Sequence, residues 1–184
     1  MKLASLFSGG KDSMYAISLA QKQGHEVVCL LSVFAKSDES HLLHHPNLHW
    51  TKLQSESMSI PQLTASSDTE KTEDELSVLL TLLQKAKEKF NIDGLVHGGI
   101  KSQFQKEKFE SLCVELDLVA LDPLWETDPV QYMNELIDNN FNFIMTTVTS
   151  DGLDDTWLGK LISKSDVKIL KELSEKFKFN LNFE

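Results

Sequence analysis

Short apolar runs alternate with longer stretches of helical spacing along most of this chain. Residues 3–7 run into Ser8-Gly9-Gly10, and residues 13–23 carry Tyr15, Ile17, Leu19 and Ala20 at helical spacing before Gly24 closes them. Residues 25–34 (HEVVCLLSVF) form a continuous apolar run, the pattern of a strand covered on both faces. Residues 35–50 are polar, rich in histidine and contain Pro46, which predicts a loop. A short helix over 51–58 and a short strand over 61–66 follow. Thr72, with Glu75 three positions on, predicts a capping box that opens an amphipathic helix reaching residue 90. Beyond it the spacing predicts strands over 95–100, 119–121 and 143–149, the first broken by Gly98-Gly99. It predicts helices over 103–116, 130–139 and 166–177. Strand and helix in alternation mean α/β class: a parallel twisted sheet with helices on both faces. The alternation loosens near Pro123, so the expected division is a larger domain over 1–122 and a smaller C-terminal portion over 123–184.

Charge narrows the function. The 184 residues carry 18 basic and 28 acidic side chains, a net charge of −10, and none of the basic ones is arginine. A free-standing nucleic-acid binder needs a basic footprint and uses arginine for bidentate contacts, so direct nucleic-acid binding is not expected. No apolar run approaches the roughly 20 residues of a membrane span, so no membrane partner is expected either. The N-terminal apolar stretch runs straight into a glycine turn and reads as a first strand, not a signal peptide. Cys29 and Cys113 lie in apolar stretches without CxxC spacing, as in a reduced, cytoplasmic protein with packed thiols.

Ser8-Gly9-Gly10-Lys11-Asp12-Ser13 lies between the first predicted strand and the first predicted helix. Glycines there let successive N–H groups turn toward one concavity, and a helix N-terminus adds its positive end. Lys11 adds a point charge, and Ser8 and Ser13 add hydroxyls. Asp12 is the odd member, because a carboxylate in an anion nest is unfavourable unless a cation neutralises it; Mg²⁺ bridging it to a polyphosphate resolves the conflict. The segment fits neither a Walker A loop nor a GxGxxG fingerprint. An ordinary capped glycine turn is the plain alternative. The second glycine pair, Gly98-Gly99, also follows a predicted strand, so both pairs fall at the carboxyl edge of the sheet, where ligands of such folds bind.

SGGKDS resembles the PP-loop of the N-type ATP pyrophosphatases, which cleave ATP between its α and β phosphates. Downstream, Gly98-Gly99-Ile100-Lys101-Ser102-Gln103-Phe104-Gln105, then Glu110 and Cys113, then Asp122-Pro123-Leu124-Trp125, are similar to the motif series of the diphthine–ammonia ligases. His45-Pro46-Asn47, Gln54 with Glu56, Glu70-Lys71 and Gly152-Leu153 with Trp157-Leu158-Gly159 add to it. The resemblance implies a Rossmann-like fold of the adenine nucleotide alpha hydrolase type. It implies ATP and Mg²⁺ as cofactors, and ammonium and translation elongation factor 2 as partners, with a homodimer as a further expectation. The implied reaction activates the diphthine carboxyl group as an acyl-adenylate, which ammonia converts to diphthamide. Lys11, Asp12 and Ser102 become the catalytic candidates, with Asp12 as the metal ligand. Nucleotide binding falls to residues 8–13, to the main chain at Val33, to Gly98 and Gly99 where the backbone would be approached closely, and to Ser102, which could instead cap its helix.

Two departures from the family pattern stand out. Lys106 and Lys108 occupy a stretch where the family commonly carries arginine; a lysine supplies attraction without bidentate geometry, which weakens the expectation of a phosphate clamp there. The family usually continues into a tail containing Gly-Gly-Glu, whereas this sequence stops at Asn182-Phe183-Glu184, so truncation or a missing part of the acceptor-side wall is expected. A nucleotide-binding regulatory domain without turnover is therefore one alternative. A tRNA-modifying PP-loop enzyme is another, disfavoured by the charge of −10 and the lack of paired cysteines. Several further residues read most simply as structural. His41, His44, His45 and His49 match no standard zinc spacing and read as a surface loop. His97 reads as a core histidine as readily as a general base, Cys113 as a packed thiol, residues 151–155 as an acidic turn, and Trp125 equally as core or as a stacking platform.

Overall fold

A computed structural model describes residues 1–34, 49–67 and 71–183, which form two compact units, Met1–Trp125 and Glu126–Glu184. The first unit carries strands β1 (Lys2–Leu6), β2 (Glu26–Phe34), β3 (Gln62–Ser66), β4 (Gly94–Val96) and β5 (Val119–Leu121). Its helices are α1 (Lys11–Lys22), α2 (His49–Met58), α3 (Thr72–Phe90) and α4 (Gln103–Glu115). The strands form one parallel sheet in the order β3-β2-β1-β4-β5. This is the α/β architecture that the alternation predicts.

Period-two alternation assigns each strand residue to a face. Ala4, Cys29, Leu31, Val33 and Leu95 meet Leu79, Leu82, Leu83 and Ala86 of α3 and Phe109, Leu112 and Cys113 of α4. Helix α1 buries Tyr15, Ala16, Ile17 and Ala20 and packs on β1, β2 and β4 from the other side, where Leu3 and Leu30 point. Cover on both faces explains why the strand sequences read as apolar runs. Burial pushes the Cys29 thiol up to about 12 and the Cys113 thiol up to about 11, the behaviour of packed sulfurs.

The strand order reverses beside β1. The chain moves outward from β1 through β2 to β3, then returns to place β4 on the other side of β1. The connections leaving β1 and β4 therefore part at a topological switch point. Strand β2 also outruns β1: the β1–β2 pairing stops at Leu6 with Leu31, while Val33 and Phe34 pair only with Ala65 and Ser66 of β3.

Four expectations are corrected. The predicted strand over 95–100 ends at Val96, because its last ladder bond runs from His97 N to Leu121 O and the chain then turns under the start of α1. The predicted capping box at Thr72 does not form. Helix α3 starts one residue earlier, with Lys71 as the N-cap, no side-chain cap, and Lys71 O accepting from Asp74 N and Glu75 N. Glu73, Asp74 and Glu75 favour that start through the helix dipole instead. Residues 143–149 form only two isolated bridges, Ile144 to Leu161 and Met145 to Leu158, since a lone pair of short strands is marginal in water. The loop predicted over 35–50 ends sooner, because His49 and Trp50 already belong to α2.

The second unit holds α5 (Pro129–Asp138), a 3-10 turn (Asp155–Trp157) and α6 (Lys164–Phe177). Helices α5 and α6 pack together and bury Tyr132, Met133, Leu136, Val167 and Leu170. Asp128 caps α5 by accepting from Gln131 N at 2.8 Å, with Pro129 at the first helical position. Ser163 and Asp166 make a full capping box at α6. Burial pushes the Asp166 carboxyl up, but Lys160 at 2.5 Å and the Ser163 hydroxyl and N–H outweigh it and hold it below the usual range. Among the described residues no helix is long and apolar enough to cross a membrane.

Candidate active site

The turn between β1 and α1 is built by its glycines. Gly9 adopts φ +77°, the left-handed region, and a methyl group there would run into Gln54 Oε1 and come within 3.1 Å of Thr51 Cγ2. Gly10 is the N-cap of α1 with extended backbone, and no side chain caps the helix. A helix start leaves its first-turn N–H groups without intrahelical acceptors, and here the first such bond runs from Met14 N to Gly10 O at 3.1 Å. Ser13 Oγ donates to Gly10 O at 3.0 Å and sits 3.4 Å from Ser8 Oγ, while Gly10 N points at Ser8 Oγ over a long 3.4 Å. The Ser8 and Ser13 hydroxyls thus lie beside the first turn of α1, at the positive end of its dipole. The Lys11 ammonium bonds both oxygens of Asp12, at 2.8 and 3.0 Å, so cation and carboxylate hold each other on the loop.

Gly98 serves packing. A Cβ at this position would lie 2.7 Å from the Asp12 carbonyl carbon, 2.8 Å from its oxygen and 2.8 Å from Ser13 N. That direction is filled by the first turn of α1, and the missing side chain is what lets the chain after β4 pack against it. Gly99 donates its N–H to His97 Nδ1 at 3.2 Å. Ser102 caps α4, accepting from Gln105 N at 3.3 Å, which is the capping option foreseen for it. The Val33 main chain lies on the stretch of β2 beyond its pairing with β1.

His97 is buried at the end of β4, edge-on to the Phe109 ring at 5.0 Å. Burial lowers its pKa to about 4, Asp122 partly opposing and Lys106 assisting, so the ring is neutral at physiological pH. With Nδ1 accepting from Gly99, the proton sits on Nε2, which has no hydrogen-bond partner. It is a core histidine satisfied at one nitrogen only.

Sequence reasoning missed two constellations. In the first, Gln54 of α2 donates from Nε2 to Gly9 O at 3.0 Å, while Gln62 donates to Ser32 Oγ at 2.8 Å and to Thr51 Oγ1 at 2.9 Å. Ser32 Oγ in turn donates to Phe7 O at 2.6 Å, so α2 is tied to the ends of β1 and β2. In the second, Lys106 pairs with Asp122 and with Glu110 at 3.5 Å and stands 4.6 Å over the Trp125 ring. Asp122 first and Glu110 second raise the Lys106 pKa. Asp122 directly follows β5, and that position at the ligand edge was the available signal. The histidine cluster 41–49 and Glu70 fall outside the described residues, apart from the His49 backbone.

Among the described residues no group of three or more His, Cys, Asp and Glu could hold a metal. Mg²⁺ commonly takes one or two carboxylates together with phosphate oxygens and water, so Asp12 would be the carboxylate to hold it once parted from Lys11.

Comparison with known proteins supplies the family. The family model described as the diphthamide synthase N-terminal domain matches residues 1–120, and that described as the diphthamide synthase C-terminal domain matches residues 128–184. The chain is 32% identical over 195 residues to the diphthine–ammonia ligase of Rattus norvegicus, covering 96% of this chain and 73% of that one. It is 32% identical over 194 residues to the enzyme of that name from Danio rerio, covering 96% and 76%. A crystal structure titled as a predicted subunit of tRNA methyltransferase from Methanocaldococcus jannaschii superposes with a TM-score of 0.49 at 16% identity, over 94% of this chain and 87% of that one. With both domain models matched in order, and relatives of that name 32% identical over 96% of the chain, the chain belongs to the diphthamide synthase family of ligases.

Proposed function

We propose that the protein is an ATP-dependent diphthine–ammonia ligase that completes diphthamide on translation elongation factor 2. The observation that carries this reading is the uncapped, glycine-built start of α1 at the switch point, in a chain of this family. The diphthine carboxylate attacks the α-phosphorus of ATP, the bond from that phosphorus to the bridging oxygen breaks, and pyrophosphate leaves. Ammonia then attacks the acyl carbon, AMP departs and a proton is lost, leaving the amide.

The residues divide this work. Backbone amides of residues 9–13 and the Ser8 and Ser13 hydroxyls receive the two outer phosphates and stabilise the charge that grows on them as pyrophosphate separates. Lys11 turns from Asp12 to the phosphates, and Asp12 is released to hold Mg²⁺. Bound there, Mg²⁺ would supply Lewis-acid neutralisation of the departing phosphates. The main chain of β2 at Val33, beyond its pairing with β1, receives the adenine. Residues 1–122 act as the nucleotide domain, and 123–184 as the acceptor side. These reactants place the work in the cytoplasm, and a homodimer is the assembly this reading carries, checked by sedimentation.

The test is incubation with ATP, Mg²⁺ and ammonium, with and without diphthine-bearing elongation factor 2. AMP and pyrophosphate appearing only with the factor is the expected result. ADP as the product, or binding without turnover, would overturn it.

A further inference from the structure

Gln54 makes an asymmetric set of contacts. Its Nε2 donates to Gly9 O at 3.0 Å from a helix 45 residues away in sequence. Its Oε1 is buried against Gly9 and has no hydrogen-bond partner. A glutamine retained for stability alone would satisfy both ends, because a buried acceptor without a donor is destabilising.

The peptide it grips explains the arrangement. In a planar trans peptide the carbonyl of one residue and the N–H of the next point in opposite directions. Fixing Gly9 O outward therefore aims the Gly10 N–H inward, toward the Ser8 hydroxyl at 3.4 Å and the concavity beside it. This peptide joins two glycines, one already at φ +77°, so its rotation meets little steric resistance. Rotated, it would present the negative end of a carbonyl to an incoming phosphate. Gln62 keeps the grip in register by tying Thr51, one turn before Gln54 on α2, to Ser32 beside the loop.

We propose that Gln54 is a positioning residue that latches the Gly9–Gly10 peptide in its anion-accepting orientation. The inference rests on the phosphate-binding role proposed above for the loop. It predicts that removing the amide weakens phosphate binding without weakening the fold.

The experiment compares wild type with Gln54→Met, which keeps side-chain length and removes both polar atoms. Calorimetric titration with inorganic pyrophosphate and Mg²⁺ should give a Kd at least about tenfold weaker for the variant, the loss of one charge-assisted bond. Its Tm should be unchanged, since losing the orphaned oxygen offsets the donor that Gly9 O loses. An equal Kd, or a weaker Kd accompanied by a lowered Tm, overturns the latch. Should the variant not fold, wild type still decides: the Gly10 amide resonance must shift on adding pyrophosphate, and a static resonance overturns the proposal. Wild type that binds pyrophosphate but forms no AMP with elongation factor 2 leaves the latch standing and removes the ligase reading. Wild type that does not bind removes both.

Discussion

Helices α1 and α6 begin in opposite ways. At α6, Ser163 and Asp166 bond each other's backbone N–H groups, and Lys160 neutralises the carboxylate, so the helix start is closed by its own side chains. At α1 the N-cap is a glycine without a side chain, the first turn carries one acid, and that acid is held by its neighbouring lysine. The same backbone chemistry is present at both starts. What differs is whether the sequence spends side chains on it. A closed start stabilises; one without a side-chain cap, set at the switch point of a parallel sheet, is where the proposed function seats an anion.

The contrast can be broken from either side, and the largest effect is expected at Asp12. Asp12→Asn should lower AMP formation by about 10²-fold or more, the scale of losing one preorganised electrostatic element, while ATP binding by calorimetry changes less. An unchanged rate would remove the metal-holding role. Next, Gly10→Asp gives α1 the cap it lacks: the backbone is already extended, and a Cβ meets only Ser8 Oγ at 3.4 Å. The new carboxylate should occupy the phosphate position and weaken pyrophosphate binding by about 10²-fold, the worth of two charge-assisted hydrogen bonds. Stability should rise by only a few tenths of a kcal/mol, the small gap between glycine and aspartate at an N-cap.

The third test concerns the strand end beneath α1. His97 is depressed to about 4 by burial, so between that value and its ordinary 6.5 the unfolded chain binds the proton the folded chain refuses. Its contribution is complete above pH 6.5 and is lost as the pH falls toward 4, amounting to about 2 kcal/mol by pH 5. Urea unfolding at pH 7.5 and pH 5 measures it, and His97→Gln should remove that part of the slope. The smallest effect belongs to α6. Ser163→Ala should cost about 1 kcal/mol of stability in urea and leave pyrophosphate binding unchanged; any loss of binding would undo the contrast between the two helices.

These tests bear on what could be read before the fold was known. The sheet was legible because strands buried on both faces leave continuous apolar runs, as residues 25–34 do, and because glycine pairs punctuate them. The position of the loop over 8–13 was legible for a similar reason: its glycine pair ends an apolar run and precedes residues at helical spacing. Start signals were harder. Thr72 with Glu75 has the letters of a capping box, yet three consecutive acids let α3 begin at Thr72 itself, after Lys71, without one. Gly98 shows a deeper limit. Its sequence context marks close approach, but only the register of β4 against α1 reveals that the approaching group is the Asp12–Ser13 backbone. Gln54 and Asp122 were visible as letters without partners, because their partners, Gly9 and Lys106, lie far off along the chain. Residues 143–149 failed because β propensity without a neighbouring strand makes no ladder.

The two native thiols leave a practical inheritance. Burial keeps Cys29 and Cys113 protonated at neutral pH and away from solvent, so alkylating reagents pass over both while the chain stays folded. A cysteine introduced at the exposed Trp50 position, on the helix that carries Gln54, would take a fluorophore by itself. The arrival of a nucleotide could then be followed by light from a single dye.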